Sequence, residues 1–520
     1  MKKGCLILSG LLLSINILGG CTTTNRHEQD NLAQVDGGIV AGIQGKNPAV
    51  TVFKGIPYAA PPVGSLRWKA PQPAVPWIGI RKCDRFGPSA IQQPQAPFWV
   101  WTKEFIIDTA GGYSEDCLTL NIWKKSTSNN KKQPVIVFIH GGAYTSGGSS
   151  CDVYDGEDIA AKGIVFVSIN YRVGILGFLA HPALSAESSD AVSGNYGILD
   201  QIAALKWVQR NIAAFGGDPG NVTVMGQSAG SGSVNSLLIS PLARGLFRQA
   251  VAESFNFAGR TLPVLSDMEK SGKESFKDKT LQEMRSMTAD ELLSVKYQSG
   301  PVVDGVVIPK QPLDTYKSGT QNNVAVISGN VEGDTALFGL ITAKTVQEYK
   351  QAAVNTFGNR AEDFLAAYPA ADDSELNQTL NRLNIDNMNA LQYMFAELRS
   401  ISGHTDTYIY FFTHQMPGND GASAFHTADV PYFLNHFSEA RAALWKNEDF
   451  TTGRIMSSYL VNFAKNGTPN GKGLPAWKPA EQTISLKELG GSFSDINFTP
   501  EKELLWKNFY ETKFGISVGT

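Results

Sequence analysis

The chain has 520 residues, 42% apolar and 18% charged, which supplies a sizeable core and excludes a disordered polymer. Its 45 basic and 48 acidic residues leave a net charge of −3 with no long basic run, so nucleic acid is excluded as a natural partner. No Cys/His cluster has zinc spacing and H-E-x-x-H is absent, so no metal is expected.

The chain begins with Lys2 and Lys3, followed by a short apolar stretch over residues 5–18. This pattern predicts a signal peptide over residues 1–20. The stretch is too short, and too interrupted by Ser9, Gly10, Ser14 and Asn16, for a transmembrane helix. Leu18-Gly19-Gly20-Cys21 resembles a bacterial lipobox, which implies lipidation of Cys21. Ordinary secretion with cleavage nearby is the other reading. Residues 21–35 read as a polar tether and 36–520 as one domain. The expected location is the bacterial cell envelope, with membrane contact only through a lipid on Cys21.

Beyond the tether, strand-like and helical patterns alternate. Residues 135–139, 164–169, 222–225, 250–252, 324–327 and 408–412 are short apolar runs of the kind buried parallel strands require. Ile198, Ile202, Leu205, Val208 and Ile212 recur at spacings of three or four, one face of a helix that Gly216-Gly217-Asp218-Pro219 stops. The alternation predicts an α/β fold: a mostly parallel sheet with helices on both faces. Residues 256–300 and 340–400 read as helical insertions on the rim. Beyond Cys5 and Cys21 the cysteines are Cys83, Cys117 and Cys151, an odd number that leaves at least one free thiol. An oxidising compartment permits a Cys83–Cys117 disulfide; buried free thiols are the other reading.

Two motifs carry chemistry. Gly226-Gln227-Ser228-Ala229-Gly230 follows a strand-like run and opens a helical one. A G-x-S-x-G between strand and helix is a nucleophile elbow, in which the glycines let a strained serine sit between two close elements. The helix N-terminus then points N–H groups and a positive dipole end at the reacting oxygen. Upstream, His140-Gly141-Gly142-Ala143-Tyr144 directly follows the predicted strand 135–139. Such a glycine-rich turn supplies backbone donors for an oxyanion. The expected donors are the N–H groups of Gly142, Ala143 and Ala229.

At this point the chain resembles the type-B carboxylesterases, relatives of the cholinesterases, over about residues 36–515. The matching motifs include Phe53-Lys54-Gly55-Ile56-Pro57-Tyr58-Ala59, Ser114-Glu115-Asp116-Cys117-Leu118-Thr119-Leu120-Asn121-Ile122-Trp123, Asn170-Tyr171-Arg172-Val173-Gly174 and Phe215-Gly216-Gly217-Asp218-Pro219. The resemblance implies an α/β-hydrolase fold, no cofactor, and a Ser–His–acid triad at the bottom of a pocket. In such a fold the chain order is Ser, acid, His. His404, His414, His426 and His436 follow the serine, and Ala424-Phe425-His426-Thr427-Ala428-Asp429 resembles the family's His loop. His426 is therefore the expected general base, with His404 and His436 expected as surface loop residues. Counting from Gly329 places the acid on Asp334; Glu332 is the alternative, at the cost of a two-residue slip.

The family often has Gly where Phe255 stands and Cys where Ala90 stands, and the second departure weakens the Cys117 disulfide. Phe98, Trp99, Trp101, Tyr144 and Phe338 lie near family pocket positions, which implies a small to medium, largely apolar or aromatic ester. Ordinary core packing is the other reading for 98–101. The expected activity is hydrolysis of a small-molecule carboxylic ester through an acyl-enzyme. Acyl transfer by the same triad and a non-catalytic adhesion module are the alternatives.

Overall fold

The structure is a computed structural model that describes residues 31–125, 131–401, 403, 406–419, 422–480 and 484–516. The expected signal peptide, Cys21 and His404 lie outside the described residues. Its centre is an 11-stranded sheet. In chain order the strands are β1 (Ile43–Gln44), β2 (Val50–Pro57), β3 (Thr119–Lys125), β4 (Gln133–Ile139), β5 (Val165–Ile169), β6 (Gly217–Gln227), β7 (Gln249–Glu253), β8 (Ala325–Val331), β9 (Thr407–Phe412), β10 (Ser485–Leu489) and β11 (Asp495–Asn497). In space they run β11-β10-β9-β8-β7-β6-β4-β5-β3-β2-β1. Every pairing from β5 through β4 and β6 to β10 is parallel; the pairings at both margins are antiparallel. A separate three-stranded sheet joins Leu32–Val35, Gly38–Ala41 and Ile80–Lys82.

The two faces of the sheet are legible in β4. Val135, Val137 and Ile139 belong to one buried cluster, Ile136 and Phe138 to the other, as the two-residue period of a strand demands. The first face is covered by α1 (Tyr196–Asn211) and α2 (Ala229–Ile239). Ile198, Ile202, Leu205 and Val208 are all buried on α1, in the register that the sequence spacing predicts. Arg172, just past β5, pairs with Asp200 of α1 at 2.7 Å with both side chains buried, tying the loop to the helix. The second face carries α4 (Asn447–Asn466), including Met456, Tyr459, Leu460 and Phe463.

The segment 256–300 forms helices Leu265–Phe276, Leu281–Ser286 and Ala289–Leu293 around a small cluster with Trp68 and Leu179. The last two begin with Thr280/Glu283 and Thr288/Glu291 capping boxes. The segment 340–400 departs from expectation. Its last part, α3 (Asp373–Ser400), is not a rim insertion but a 28-residue helix laid on β8 and β9. Burial of Leu383, Tyr393, Phe395 and Leu398, and a Gln392 side chain bonded to Ser328 and Asn330, hold it there.

The Cys83–Cys117 disulfide does not form. Cys83, Cys117 and Cys151 are separate buried thiols. Cys83 N–H bonds to Ala41 O in the small sheet, whereas Cys117 is buried within reach of the Arg172–Asp200 charges. Burial pushes the Cys83 thiol up to about 11 and the other two further, so all three stay protonated and unreactive at neutral pH. Among the described residues no helix is long and apolar enough to cross a membrane, and no cluster of His, Cys, Asp or Glu is arranged to hold a metal.

Candidate active site

The residues of interest converge just beyond the C-terminal ends of β4, β6, β8 and β9, the edge where parallel sheets place ligands. Ser228 follows β6 directly and caps α2 with φ 58° and ψ −123°, a strained conformation for a residue with a side chain. The strain is held by bonds on both sides. Ser228 N–H donates to Glu253 O of β7 at 3.0 Å, and its carbonyl accepts from Gly232 N–H at 2.9 Å. A Cβ at Gly230 would collide with the Ile139 carbonyl, and one at Gly226 with the carbonyl of Gly230. The two glycines are thus what lets β6, α2 and the end of β4 approach.

The turn after β4 is also strained: Gly142, Ala143 and Tyr144 have φ of 108°, 53° and 60° in succession. Gly142 O accepts from Thr145 N–H and Ser146 N–H, both at 3.0 Å, which curls the turn. Among the described residues the N–H groups of Gly142 and Ala143 have no partner, and both residues line the cleft. Ala229 N–H is free as the first of its helix. His140 braces this turn from beneath. Its Nδ1 donates to Gly141 O at 2.8 Å, its ring stacks on Tyr171 at 4.4 Å, and Tyr171 Oη donates back to His140 O at 3.0 Å. Burial lowers His140 to about 4, so it remains neutral at pH 7 and adds no charge beside the oxyanion donors.

His426 bridges two partners. Its Nε2 lies 2.8 Å from Ser228 Oγ and its Nδ1 2.6 Å from Asp334 Oδ1. The carboxylate accepts the Nδ1 proton, leaving Nε2 to accept from the serine hydroxyl. Asp334 is fully buried, and its Oδ2 accepts from Asn330 Nδ2 at 3.1 Å and Val331 N–H at 3.0 Å. Both of its oxygens are therefore committed. Glu332 makes no contact with His426; it is half-buried beside the Ala424 backbone, and burial raises it above the ordinary carboxylate range. Below the site are two further buried carboxyls. Burial raises Glu253 well above its usual range and Asp429 to about 6, the latter while accepting from Tyr410 Oη at 2.6 Å.

A cleft of about 400 Å³ opens over Ser228 and His426. Trp101 lines it and donates from Nε1 to Thr427 Oγ1 at 2.8 Å; Phe98 lines its mouth. Trp99 does not reach it: the ring is 70% exposed, edge-on to Trp101. Tyr144 is not a cleft residue either. Its ring packs on Phe178 and its hydroxyl against Gly232, under the strained turn. Phe338 sits outside the cleft lining, edge-on to His426 at 5.8 Å between centroids. Sequence reasoning missed Phe105, Tyr154 and Gln227. Gln227 lies inside the elbow itself, and its Nε2 comes to 3.3 Å from His426 Nε2. A second cavity, of about 260 Å³ near Trp68, Tyr196 and Asp304, contains none of these groups.

A buried carboxylate, an imidazole and a hydroxyl in hydrogen-bonded series, beside free backbone N–H groups, can activate an oxygen nucleophile and receive an oxyanion. Known proteins agree with that chemistry. Residues 29–502 match the model of the Carboxylesterase family. The chain is 35% identical over 494 residues to a fumonisin B1 esterase of Sphingopyxis macrogoltabida, covering 89% of this chain and 88% of that one. It is 31% identical over 523 residues to the cocaine esterase of Homo sapiens, covering 93% and 91%. It is 30% identical over 521 residues to carboxylesterase 1F of Mus musculus, covering 89% and 90%. The chain belongs to the carboxylesterase family and is a serine carboxylic-ester hydrolase of the α/β-hydrolase fold.

Proposed function

We propose that Ser228 is the nucleophile, His426 the general base and Asp334 the acid that orients it. Ser228 Oγ attacks the ester carbonyl as His426 Nε2 takes its proton. Asp334 keeps the other imidazole proton on Nδ1 and stabilises the imidazolium. The N–H groups of Gly142, Ala143 and Ala229 receive the oxyanion; loss of one such donor costs about 3–4 kcal/mol. His426 returns the proton to the leaving alcohol, an acyl-Ser228 remains, and water activated by the same imidazole releases the acid. The observation that carries this reading is the unbroken series Asp334–His426–Ser228, at 2.6 and 2.8 Å.

The cleft favours small to medium esters with an apolar or aromatic group, held by Trp101 and Phe105. Relatives named as esterases for fumonisin B1 and for cocaine support a preference for organic esters. A fluorophosphonate probe should label the wild type and not Ser228→Ala, and the variant should retain only background ester turnover. Substantial turnover in Ser228→Ala would remove Ser228 from the mechanism. A panel varying acyl length and alcohol size defines the substrate, and product analysis with added alcohol separates hydrolysis from acyl transfer.

In our reading, residues 36–520 act as one catalytic domain exported by the leader 1–20 and held to the envelope by a lipid on Cys21. The Leu18-Gly19-Gly20-Cys21 pattern supports it. Incorporation of labelled palmitate that persists in Cys21→Ala would rule the anchor out.

A further inference from the structure

His426 has one flank that the cleft does not use. There Phe338 stands edge-on to the imidazole at 5.8 Å, and Phe255 stands edge-on to Phe338 at 6.0 Å. The Phe255 ring also approaches Gly232 in the first turn of α2. The two rings form an apolar wall beside the nucleophile. Over this wall lies the Arg260 guanidinium, 4.7 Å from the Phe255 centroid and 5.4 Å from that of Phe338. The Phe338 ring thus neighbours both a fixed positive charge and the His426 imidazole.

Among the described residues Arg260 meets no carboxylate. Among the described residues its side chain makes no ion pair and no hydrogen bond, and burial is the one influence that shifts its titration, downward. Arg67, Arg172, Arg285 and Arg441, by contrast, each meet a carboxylate: Glu115, Asp200, Glu187 and Glu104. Asp334 is not available to it, because both carboxylate oxygens are taken by His426, Asn330 and the Val331 N–H. The guanidinium plane is partly desolvated by the two rings, while the residue as a whole remains open to solvent. A guanidinium so placed keeps its planar fork of donors, the geometry that fits a carboxylate through two parallel bonds. Stacking on rings holds the fork in orientation without consuming its donors.

We propose that Arg260 is an anion subsite, and that the preferred substrates are esters carrying a free carboxylate about one phenyl ring's breadth from the reacting carbonyl. The carbon chain between the two groups lies on Phe338 and Phe255, and the apolar cleft takes the other half of the ester. This deepens the assignment of Ser228 and His426 and rests on it. The carboxylate can belong to the acyl half, as in a dicarboxylic half-ester, or to the alcohol half.

The test compares matched ester pairs by pH-stat in wild type, Arg260→Gln and Arg260→Lys. On the acyl side the pair is monoethyl glutarate against ethyl pentanoate; on the alcohol side, 4-acetoxybutanoate against pentyl acetate. Wild type should prefer the anionic member of one pair in kcat/KM. Arg260→Gln should lower kcat/KM for that member about 10- to 100-fold more than for its neutral partner, mostly through KM, as loss of a charge-assisted bond predicts. Arg260→Lys should recover part of the preference, and added salt should weaken it. Which pair responds identifies the half of the ester that binds Arg260. No anionic preference in wild type in either pair, or equal losses for both members in Arg260→Gln, overturns the subsite. The nucleophile assignment fails separately, through fluorophosphonate labelling that survives in Ser228→Ala.

Discussion

Two histidine–carboxylate pairs are built within the same stretch after β9, at almost equal length. His426 Nδ1 stands 2.6 Å from Asp334 and His414 Nε2 stands 2.7 Å from Asp449. The difference lies in the other ring nitrogen. His414 Nδ1 meets the Gly490 carbonyl at 3.0 Å, and Asp449 also accepts from Tyr432 Oη and the Lys446 N–H. That pair is closed at both ends and ties the loop after β9 to the start of α4. His426 Nε2 instead faces a hydroxyl on the wall of an open cleft. A carboxylate beside an imidazole therefore does not identify a general base. What identifies it is a second nitrogen that still has a proton to receive.

The sharpest test of this contrast exchanges each histidine in turn. His426→Ala should reduce kcat for a simple ester by about a millionfold, the scale seen when one member of a cooperating triad is removed. His414→Ala should keep kcat within a few-fold of wild type and lose stability instead, by roughly 1–3 kcal/mol for the partners left unpaired. Steady-state kinetics and urea unfolding on both variants decide it. A collapse of kcat in a folded His414→Ala would erase the distinction.

The next test separates two carboxylates two residues apart. Asp334→Asn should lower kcat about ten-thousandfold, because the imidazole is then held in the wrong tautomer. Glu332→Gln should stay within a few-fold, since that side chain makes no contact with His426. Comparable losses in both variants would mean that the pair of oxygens on Asp334 is not what orients the base.

These two carboxylates also show how far the sequence could be read. Ser228 and the glycine turn were legible because each motif is contiguous and its steric reason local: a Cβ at Gly230 collides with Ile139. Asp334 followed from the family resemblance, by aligning the stretch with the family's acid loop from Gly329. The segment Glu332–Asp334 forms a single 3-10 turn, and two steps along such a turn rotate a side chain to another side of the axis. One of the two acids could reach His426, and the alignment with the family's pattern chose it. The aromatics resisted the same treatment. Phe98 and Trp101 exchange two backbone hydrogen bonds at 3.0 Å, a tight reversal that turns Trp101 inward and leaves Trp99, at φ 49°, in solvent. Neighbouring tryptophans look alike until that turn is known. β3 is not marked as a strand by its residues, because Thr119-Leu120-Asn121-Ile122-Trp123-Lys124-Lys125 mixes polar and apolar side chains. In the structure Asn121 is buried by bonding to Gly55, Ser149 and Ser168, partners that no local pattern reveals. Arg260 and Phe255 meet Phe338 only through space.

A third histidine extends the comparison at its weakest end. His436 was expected as a surface residue, yet its side chain is only 12% exposed and faces two acids, with Nδ1 3.2 Å from Asp158 and Nε2 3.7 Å from Asp152. Burial alone would lower its affinity for a proton; the Asp152 and Asp158 carboxylates outweigh that and raise it to about 10. Bonding to His436 in turn lowers Asp152 to about 2. The sign of the linkage follows. The histidine's contribution to stability is complete below about pH 6.5, where the unfolded chain is protonated too, and fades as pH rises through about 10. Asp152 contributes above its unfolded value and loses that contribution as pH falls toward about 2. His436→Gln should therefore destabilise the protein most between about pH 4 and 6.5 and hardly at all near pH 10. Because both carboxylates are about half exposed, solvent screening limits the effect to about 1 kcal/mol at its maximum. Urea unfolding of wild type and variant at pH 5.5 and 9.5 measures it, with kcat unchanged at both. A stability difference that grows with pH would mean that His436 is neutral in the folded chain and that its two acids do not hold its proton.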